Sequence, residues 1–403
     1  MKLTAFLLAL PTTAFSQGPL TPPGSPGPTQ KSLQEIWDKI GALETQNAAL
    51  QTQLTASTLL NAISAAGQAL PWFFQTVDSS PFVGSYTSLA FGPDDQPAIS
   101  YYDDDYRDLK FARFNGTVWT ITTVDSVGIV GLESSLAFGP DGQPAISYWS
   151  STNADLKFAR FNGSVWTTTI VDSAGTVGED TSLAFGPDGQ PAISYWAWTN
   201  SDLKFARFNG SVWTTTTVDS VGSVGLDTSL AFGPDGQPAI SYWSSTNADL
   251  KFARFNGSVW TTTTVDSTGN VGSFTSLAFG PDGQPSISYS DTTNFDLKFA
   301  RFNGTVWTPT TVDSTGFVGY YTSLAFGPDG QPSISYSDET NKDLKFARFN
   351  GTAWTSTTVD STGNVGSYAS LAFGPDGQPA ISYHDETNNE LKFARKGIFL
   401  PAP

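Results

Sequence analysis

The tetrapeptide Ser-Leu-Ala-Phe recurs seven times in this chain, each copy 47 residues after the previous one and without any insertion. Repeats of roughly 40 to 50 residues, built from short apolar runs between turn residues, are typical of β-propeller blades. The period therefore predicts an all-β fold, a single closed seven-bladed β-propeller. The copies begin at Ser88, Ser135, Ser182, Ser229, Ser276, Ser323 and Ser370.

Each repeat contains four runs of strand length. In the second repeat these are Ser135–Phe138, Ala145–Tyr148, Leu156–Phe161 and Val165–Val171. Pro140-Asp141-Gly142 suits a type I turn followed by a left-handed residue, and Asn162-Gly163 favours a two-residue hairpin. One four-stranded sheet cannot bury both of its faces, so each blade must pack on the next.

The two ends of the repeat region predict how the ring closes. Residues Trp72–Asp78 match Trp119–Asp125, the fourth strand of a repeat, whereas the last repeat stops at Arg395 without that strand. The N-terminal run would therefore supply the missing outer strand of the seventh blade. We expect the propeller to span residues 72–395, followed by a C-terminal tail at 396–403.

Two short segments open the chain. Residues 1–16 have the charged start, apolar stretch and small residues of a signal peptide, so we expect a secreted, extracellular protein. Residues 17–30 are rich in Pro and Gly and predict an extended linker. No stretch is long and apolar enough for a transmembrane helix, so membrane insertion is not expected.

Residues 31–70 predict a helical segment with the heptad pattern of a coiled coil. An Asn at one a position favours a parallel dimer, so we expect a homo-oligomer formed through residues 33–57. The alternative is an amphipathic helix that docks on the propeller itself. The a positions are Leu33, Ile40, Asn47 and Leu54, and the d positions are Ile36, Leu43 and Leu50.

The charge pattern argues against several kinds of partner. The net charge is −17, and most Lys and Arg residues belong to the repeated Leu-Lys-Phe-Ala-Arg strand, which spreads them around the ring. Without a basic stripe, binding to nucleic acid or anionic lipid is not expected. The repeated arginine, such as Arg160, is expected to pair with a repeated aspartate such as Asp125 or Asp141. A cluster of arginines for a substrate carboxylate is the alternative.

No cofactor and no metal site are expected. The chain has no Cys, which excludes disulfides, thiol chemistry and a Cys-based metal site. Asp103-Asp104-Asp105 could offer oxygen ligands to calcium, but an acidic loop in water is the commoner case. The Asn-Gly-Ser and Asn-Gly-Thr motifs fit the N-glycosylation pattern, yet the hairpin explains them better.

Differences among the repeats concentrate in the loops on the face opposite to the hairpin turns. There every blade is expected to present an aromatic ring and a carboxylate to the same rim. One position directly precedes the inner strand and comprises Tyr86, Glu133, Asp180, Asp227, Phe274, Tyr321 and Tyr368. The second follows the second strand and comprises Tyr102, Asp103, Trp149, Trp196, Trp198, Trp243, Asp291, Asp338, His384 and Asp385.

This rim predicts a multivalent, lectin-like binding surface for a glycan or polysaccharide. Flat aromatic faces stack on sugar rings, and carboxylates accept hydrogen bonds from hydroxyl groups. The alternative is that ring and acid satisfy one another, with an indole N–H donating to a neighbouring carboxylate. A structural scaffold that binds a protein partner would need neither.

Catalysis has few candidate residues, so we expect no enzyme activity and no catalytic residues. His384 is the only histidine, and no Ser-His-Asp set can be assembled. Beside Asp385, it fits a surface variant of the Ser290 and Ser337 position better than a general base. A pair of carboxylates on the rim could still hydrolyse glycosides, which leaves a glycoside hydrolase as the alternative.

The repeat resembles those of secreted bacterial seven-bladed propellers in the sialidase-like and lectin-like group, on the segments Ser135-Leu136-Ala137, Pro144 to Tyr148, Leu156 to Ala159 and Trp166. The resemblance covers Trp72 to Arg395 and implies the propeller fold. The segment Phe161 to Trp166 is similar to a degenerate Asp-box, without the Asp, the spaced Gly and the Thr-Trp order of that motif. The arginine triad and the nucleophilic Tyr of sialidases have no counterparts here, so sialidase activity is not implied.

Overall fold

The computed structural model describes Glu35, residues 38–43 and residues 70–397. It contains seven four-stranded antiparallel sheets, and the inner strands of successive sheets contact one another until the seventh meets the first. The predicted seven-bladed propeller is therefore confirmed. The predicted signal peptide, the linker, the end of the tail and most heptad positions lie outside the described residues.

Each blade runs from an inner to an outer strand. The inner strands are β2 (Val83–Phe91), β6 (Val130–Phe138), β10 (Glu179–Phe185), β14 (Val224–Phe232), β18 (Val271–Phe279), β22 (Val318–Phe326) and β26 (Val365–Phe373). The second strands are β3 (Pro97–Asp103), β7 (Pro144–Ser150), β11 (Pro191–Ala197), β15 (Pro238–Ser244), β19 (Pro285–Asp291), β23 (Pro332–Asp338) and β27 (Pro379–Asp385).

The other two strands complete each sheet. The third strands are β4 (Asp108–Phe114), β8 (Asp155–Phe161), β12 (Asp202–Phe208), β16 (Asp249–Phe255), β20 (Asp296–Phe302), β24 (Asp343–Phe349) and β28 (Glu390–Lys396). The outer strands are β5 (Trp119–Asp125), β9 (Trp166–Asp172), β13 (Trp213–Asp219), β17 (Trp260–Asp266), β21 (Trp307–Asp313), β25 (Trp354–Asp360) and β1 (Trp72–Asp78).

The ring closes through the N-terminal strand, as the sequence predicts. Strand β1 pairs antiparallel with β28, from Trp72 opposite Lys396 to Asp78 opposite Leu391. The Gly397 N–H donates to the Pro71 carbonyl at 3.0 Å. The last strand therefore extends one residue beyond the expected boundary at Arg395.

The two hairpins of each blade differ in how well the sequence predicts them. Gly142 has a φ of 75° and donates to the Gly139 carbonyl, which is the expected turn. The Asn-Gly hairpin is shifted by one residue, because Asn162 lies before the turn instead of inside it. The side-chain Oδ1 of Asn162 accepts from the backbone N–H groups of Ser164 and Val165. It thereby takes the place of the Asn162 backbone carbonyl as acceptor in the turn, while the Asn162 N–H donates to the Val165 carbonyl.

A buried aspartate joins each blade to the next. Asp125, at the end of β5, accepts a hydrogen bond from the Tyr148 hydroxyl at 2.7 Å and another from the Lys157 ammonium group, both in the following blade. Burial alone would raise the Asp125 pKa, but the bonds from Lys157 and Tyr148 hold it below its usual value. The tyrosine bond recurs at all seven boundaries, with distances of 2.6–2.7 Å.

The repeated arginine forms its pair on the hairpin face, as the sequence analysis expects. Arg160 lies 2.5 Å from Asp141, and its guanidinium stacks 4.9 Å from the ring centre of Phe185 in the next blade. The equivalent pair is present in all seven blades. The alternative, an arginine cluster for a substrate carboxylate, does not match this arrangement, because each guanidinium already pairs with its own carboxylate.

The serine of Ser-Leu-Ala-Phe has a structural role around the central channel. Ser88 Oγ accepts from the Leu136 N–H of the next blade at 3.0 Å, and the same bond links all seven pairs of neighbours. A second bridge connects the hydroxyl preceding this serine to a serine on the second strand of the previous blade, as in Thr322 with Ser288 at 2.7 Å. Blade seven has Ala369 at this position, and Ser335 Oγ is buried without a partner.

Little of the predicted helical segment is described. Glu35 and residues 38–43 are helical, and the side chains of Ile40 and Leu43 are exposed. In the described part of the chain, no helix has the length and apolar character needed to cross a membrane. The coiled coil and the oligomer stay predictions.

The orphaned serine gives a stability prediction. Ala369→Thr is expected to raise the free energy of unfolding by about 1 kcal/mol, because the new hydroxyl would give buried Ser335 a hydrogen-bond partner. Thermal and denaturant unfolding of the variant and the parent chain would measure the change. The control is Thr322→Ala, which removes the equivalent hydrogen bond to Ser288 and should destabilise the protein by a similar amount. A loss of stability in both variants would contradict the prediction.

Candidate functional site

Seven side chains, one from each blade, line a single opening at the end of the central channel. They occupy the position that directly precedes the inner-strand serine bridge, and the opening has a volume of about 260 Å³. We call this opening the mouth. Its lining residues are Tyr86, Glu133, Asp180, Asp227, Phe274, Tyr321 and Tyr368, together with the neighbouring Thr87, Ser134, Thr181, Thr228, Thr275, Thr322 and Ala369.

A β-bulge directs these side chains to the mouth. Leu132 pairs with Trp149 and Ser135 with Ser147, so the inner strand contains one more residue than its partner between the two pairs. Glu133, in the bulge, has a φ of 53°, and the six equivalent residues are also left-handed. The preceding Gly131 has a φ of 100°, and a Cβ there would lie 2.6 Å from the Leu109 Cα. Close packing of two blades therefore requires glycine two residues before each mouth residue.

Four blades contribute a continuous aromatic arc. The ring centroids of Phe274 and Tyr321 lie 4.9 Å apart, those of Tyr321 and Tyr368 4.6 Å, and those of Tyr368 and Tyr86 4.6 Å. The hydroxyls of Tyr86 and Tyr321 both hydrogen-bond to the Tyr368 hydroxyl. Burial raises the pKa of all three tyrosines, so they are neutral donors and acceptors at physiological pH.

The other three blades contribute an acidic arc. The Asp180 N–H donates to the Glu133 carboxylate, the Asp227 N–H to the Asp180 carboxylate, and the Phe274 N–H to the Asp227 carboxylate. Burial raises the pKa of Asp180 to about 6. Burial and the nearby charge of Asp180 raise the pKa of Asp227 to about 8 and that of Glu133 well above its usual value. The arc is therefore partly protonated near neutral pH.

The three tryptophans of the acidic blades are half-buried, and they do not pair with the acids. The Nε1 atoms of Trp149, Trp196 and Trp243 are buried and have no hydrogen-bond partner. The carboxylates bond to backbone N–H groups instead, so the alternative in which indole and acid satisfy one another is wrong. Trp149 packs on the strand behind the bulge, opposite Leu132.

The second set of acids does not reach the rim, which corrects that part of the sequence prediction. Asp103, Asp291, Asp338 and Asp385 are almost fully buried. Asp291 Oδ1 accepts from the N–H groups of Thr293 and Asn294, and its Oδ2 accepts from the Asn294 side chain at 2.9 Å. A short polar turn after a strand favours this arrangement, in which the carboxylate caps the turn. These four acids stabilise loops instead of facing a ligand.

Three further predicted residues have separate locations. Trp198 is exposed on the loop face, outside the mouth. Tyr102 is buried behind Tyr86, with 6.4 Å between ring centroids. His384 is buried behind Tyr368 at the same centroid distance, and neither of its nitrogens has a partner. Burial lowers the His384 pKa, so the ring is neutral, and the expected surface position is wrong.

Sequence reasoning identified all seven mouth residues but missed how they combine. It treated each blade as a separate site, whereas the closed ring brings the seven residues at this repeated position to one opening. It also missed the residues that directly precede each Ser-Leu-Ala-Phe and line the same opening, which are threonine in five blades, Ser134 in the second and Ala369 in the seventh. Within the described ranges, no group of three or more His, Asp or Glu residues is arranged to hold a metal ion.

Comparison with known proteins shows the fold alone. No protein-family model matches the sequence, and no curated protein matches it. A PL25 ulvan lyase bound to -[GlcA(1-4)Rha3S]- has 13% identity over 80% of this chain and 96% of its own, with a TM-score of 0.57. YCF48 bound to D1 peptide has 14% identity over 82% and 98%, with a TM-score of 0.54. The Aleuria aurantia lectin in complex with Fucα1-6GlcNAc has 16% identity over 71% and 98%, and its TM-score of 0.49 supports no conclusion.

The acidic arc gives a pH prediction. The raised pKa of Asp227 means that the folded chain holds its proton up to about pH 8, whereas the unfolded chain releases it near pH 4. Ionisation of Asp227 therefore costs stability as the pH rises through this range. Asp227→Asn removes this cost, so its stability relative to the parent chain should be higher at pH 8.5 than at pH 4, by at least about 1 kcal/mol, the value of one pKa unit.

Melting temperatures of both proteins from pH 4 to pH 8.5 would test this. Asp235→Asn is the control, because Asp235 pairs with Arg254 on the opposite face and its pKa is lowered. The difference in melting temperature between Asp235→Asn and the parent chain should stay constant above pH 5. Parallel curves for the parent chain and Asp227→Asn would contradict the prediction.

Proposed function

We propose that this protein is a non-catalytic binding module that holds carbohydrate at the mouth. The observation that carries the proposal is the division of one ring of equivalent positions into an aromatic arc and an acidic arc around a single opening. Aromatic faces stack on the apolar faces of sugar rings, and carboxylates accept hydrogen bonds from hydroxyls. Both kinds of contact are available in the same cavity.

The geometry favours one ligand per propeller at this face. Each mouth residue is a neighbour of two others, so the seven positions form one site and not seven equivalent ones. Multivalent binding would then come from oligomers formed through residues 33–57, each chain adding a mouth. Export through residues 1–16, which the sequence predicts, would place this site where extracellular glycans occur.

A protein-binding scaffold is the second candidate. YCF48, which shares the propeller fold, is bound to a peptide in its solved structure. The exposed Trp198 and the contacting pair of Phe295 and Phe317, with ring centroids 3.9 Å apart, offer apolar contact outside the mouth. A scaffold of this kind would bind independently of the mouth residues.

Glycoside cleavage is the third candidate, and the acidic arc is the reason to test it. Glycosidases use one protonated and one ionised carboxyl group, and Asp227 and Asp180 have pKa values near 8 and 6. An enzyme would release product from a bound glycan and would lose turnover when either acid alone is changed.

A glycan and polysaccharide array probed with the full chain would test carbohydrate binding. The variant Tyr321→Ala with Tyr368→Ala is expected to lower affinity for a bound glycan by tenfold or more, because stacking on the aromatic arc is lost. Tyr106→Ala is the matched control, since Tyr106 is an exposed aromatic residue outside the mouth.

Three outcomes would decide among the candidates. Binding that depends on the two tyrosines and produces no cleaved product supports the proposal. If the folded protein binds no glycan on the array, the proposal is contradicted. Cleavage abolished by Asp227→Asn or Asp180→Asn favours the enzyme, and binding lost only in Trp198→Ala favours a surface outside the mouth.

A further inference from the structure

The three carboxylates of the acidic arc have no cation. In the part of the chain spanning residues 70–397, no ion pair involves Glu133, Asp180 or Asp227. No Lys or Arg lines the mouth either. Each carboxylate receives a backbone N–H, which supplies a hydrogen bond but no full positive charge.

At two of the repeated positions elsewhere, the acids pair with a cation. The aspartates between blades receive lysines in six of the seven boundaries, as Asp219 does from Lys251. The acids on the hairpin face each have an arginine, as Asp235 has Arg254. Asp78 and Asp155 are also buried without an ion pair. The mouth, however, brings three such carboxylates together in one chain of hydrogen bonds, where uncompensated charge is unfavourable.

The opposite wall of the mouth also suits a positive charge. Aromatic faces carry negative electrostatic potential and attract ammonium groups within about 6 Å. Phe274, Tyr321, Tyr368 and Tyr86 form such a wall in the cavity that the three acids complete. The opening, about 260 Å³, is close to the lower end of the volumes of small-molecule sites.

We propose that the mouth selects a sugar unit that carries a free protonated amine, so that the ligand is an amino-sugar glycan and not a neutral or N-acetylated one. The ammonium group lies against the acidic arc, where it supplies the missing charge, and the ring stacks on the aromatic arc. A cation placed there favours the ionised forms of Asp180 and Asp227, whose pKa values burial otherwise raises. This inference rests on the proposed function and names the chemistry of its ligand.

Calorimetric titration of the full chain would test it with three matched ligands, β-1,4-linked oligomers of glucosamine, of N-acetylglucosamine and of glucose, all of the same length. At pH 6 the glucosamine oligomer is expected to bind at least tenfold more tightly than the other two, about 1.4 kcal/mol. The preference should shrink as salt is added. The triple variant Glu133→Gln, Asp180→Asn, Asp227→Asn should abolish the preference.

The control variant is Asp141→Asn, Asp188→Asn, Asp235→Asn. It replaces the same number of acidic groups in the same three blades on the opposite face, so it should keep the preference. If both variants lose the preference for the glucosamine oligomer equally, the inference is overturned in favour of long-range attraction to the whole acidic protein. Equal or tighter binding of the glucose or N-acetylglucosamine oligomer would overturn it while leaving carbohydrate binding intact. If no oligomer binds to folded protein, the amine inference fails, and the array separately decides the proposed function.

Discussion

The buried aspartate at each blade boundary is the interaction on which the propeller depends. Burying a carboxylate costs several kcal/mol unless its oxygens accept hydrogen bonds, and here the next blade supplies the donors. Asp219 receives both the Tyr242 hydroxyl and the Lys251 ammonium group from the blade that follows it. Only a stack in which every blade has a successor satisfies all of these acids, so the same interaction that joins neighbours also favours a closed ring. The last boundary is satisfied because Asp78 comes from the N-terminal strand and receives Tyr101.

Closure of the ring turns one repeated position into a site. The bulged residue of every inner strand is left-handed and points toward the same axis, so seven copies of one position become the wall of one opening. Substitutions there leave the buried aspartates and the serine bridges untouched. The repeats could therefore diverge into an acidic arc and an aromatic arc while the fold stayed the same.

The residues of the mouth were predictable, but their neighbours were less so. Glu133 and Tyr321 stand out because they differ at a position that is otherwise equivalent in every repeat. Asp291 and Asp338 differ in the same way and yet are buried in turns, because an aspartate after a strand can bond either to a ligand or to the next backbone N–H groups. The alternation of side chains along a strand does not decide between these outcomes. The Asn162 hairpin shows the same ambiguity, since its side chain replaced a backbone carbonyl.

The sequence by itself determined the number of blades, the order of the strands and the closure by Trp72–Asp78, because period and phase are properties of the chain order. Tertiary structure alone decided which polar groups meet. Tyr86 and Tyr368 are far apart in the chain, and only ring closure brings them to 4.6 Å. Whether a carboxylate is buried in a turn, paired with a lysine or left without a cation at the mouth depends on the neighbouring blade, since the energy of a charge is set by what surrounds it in space.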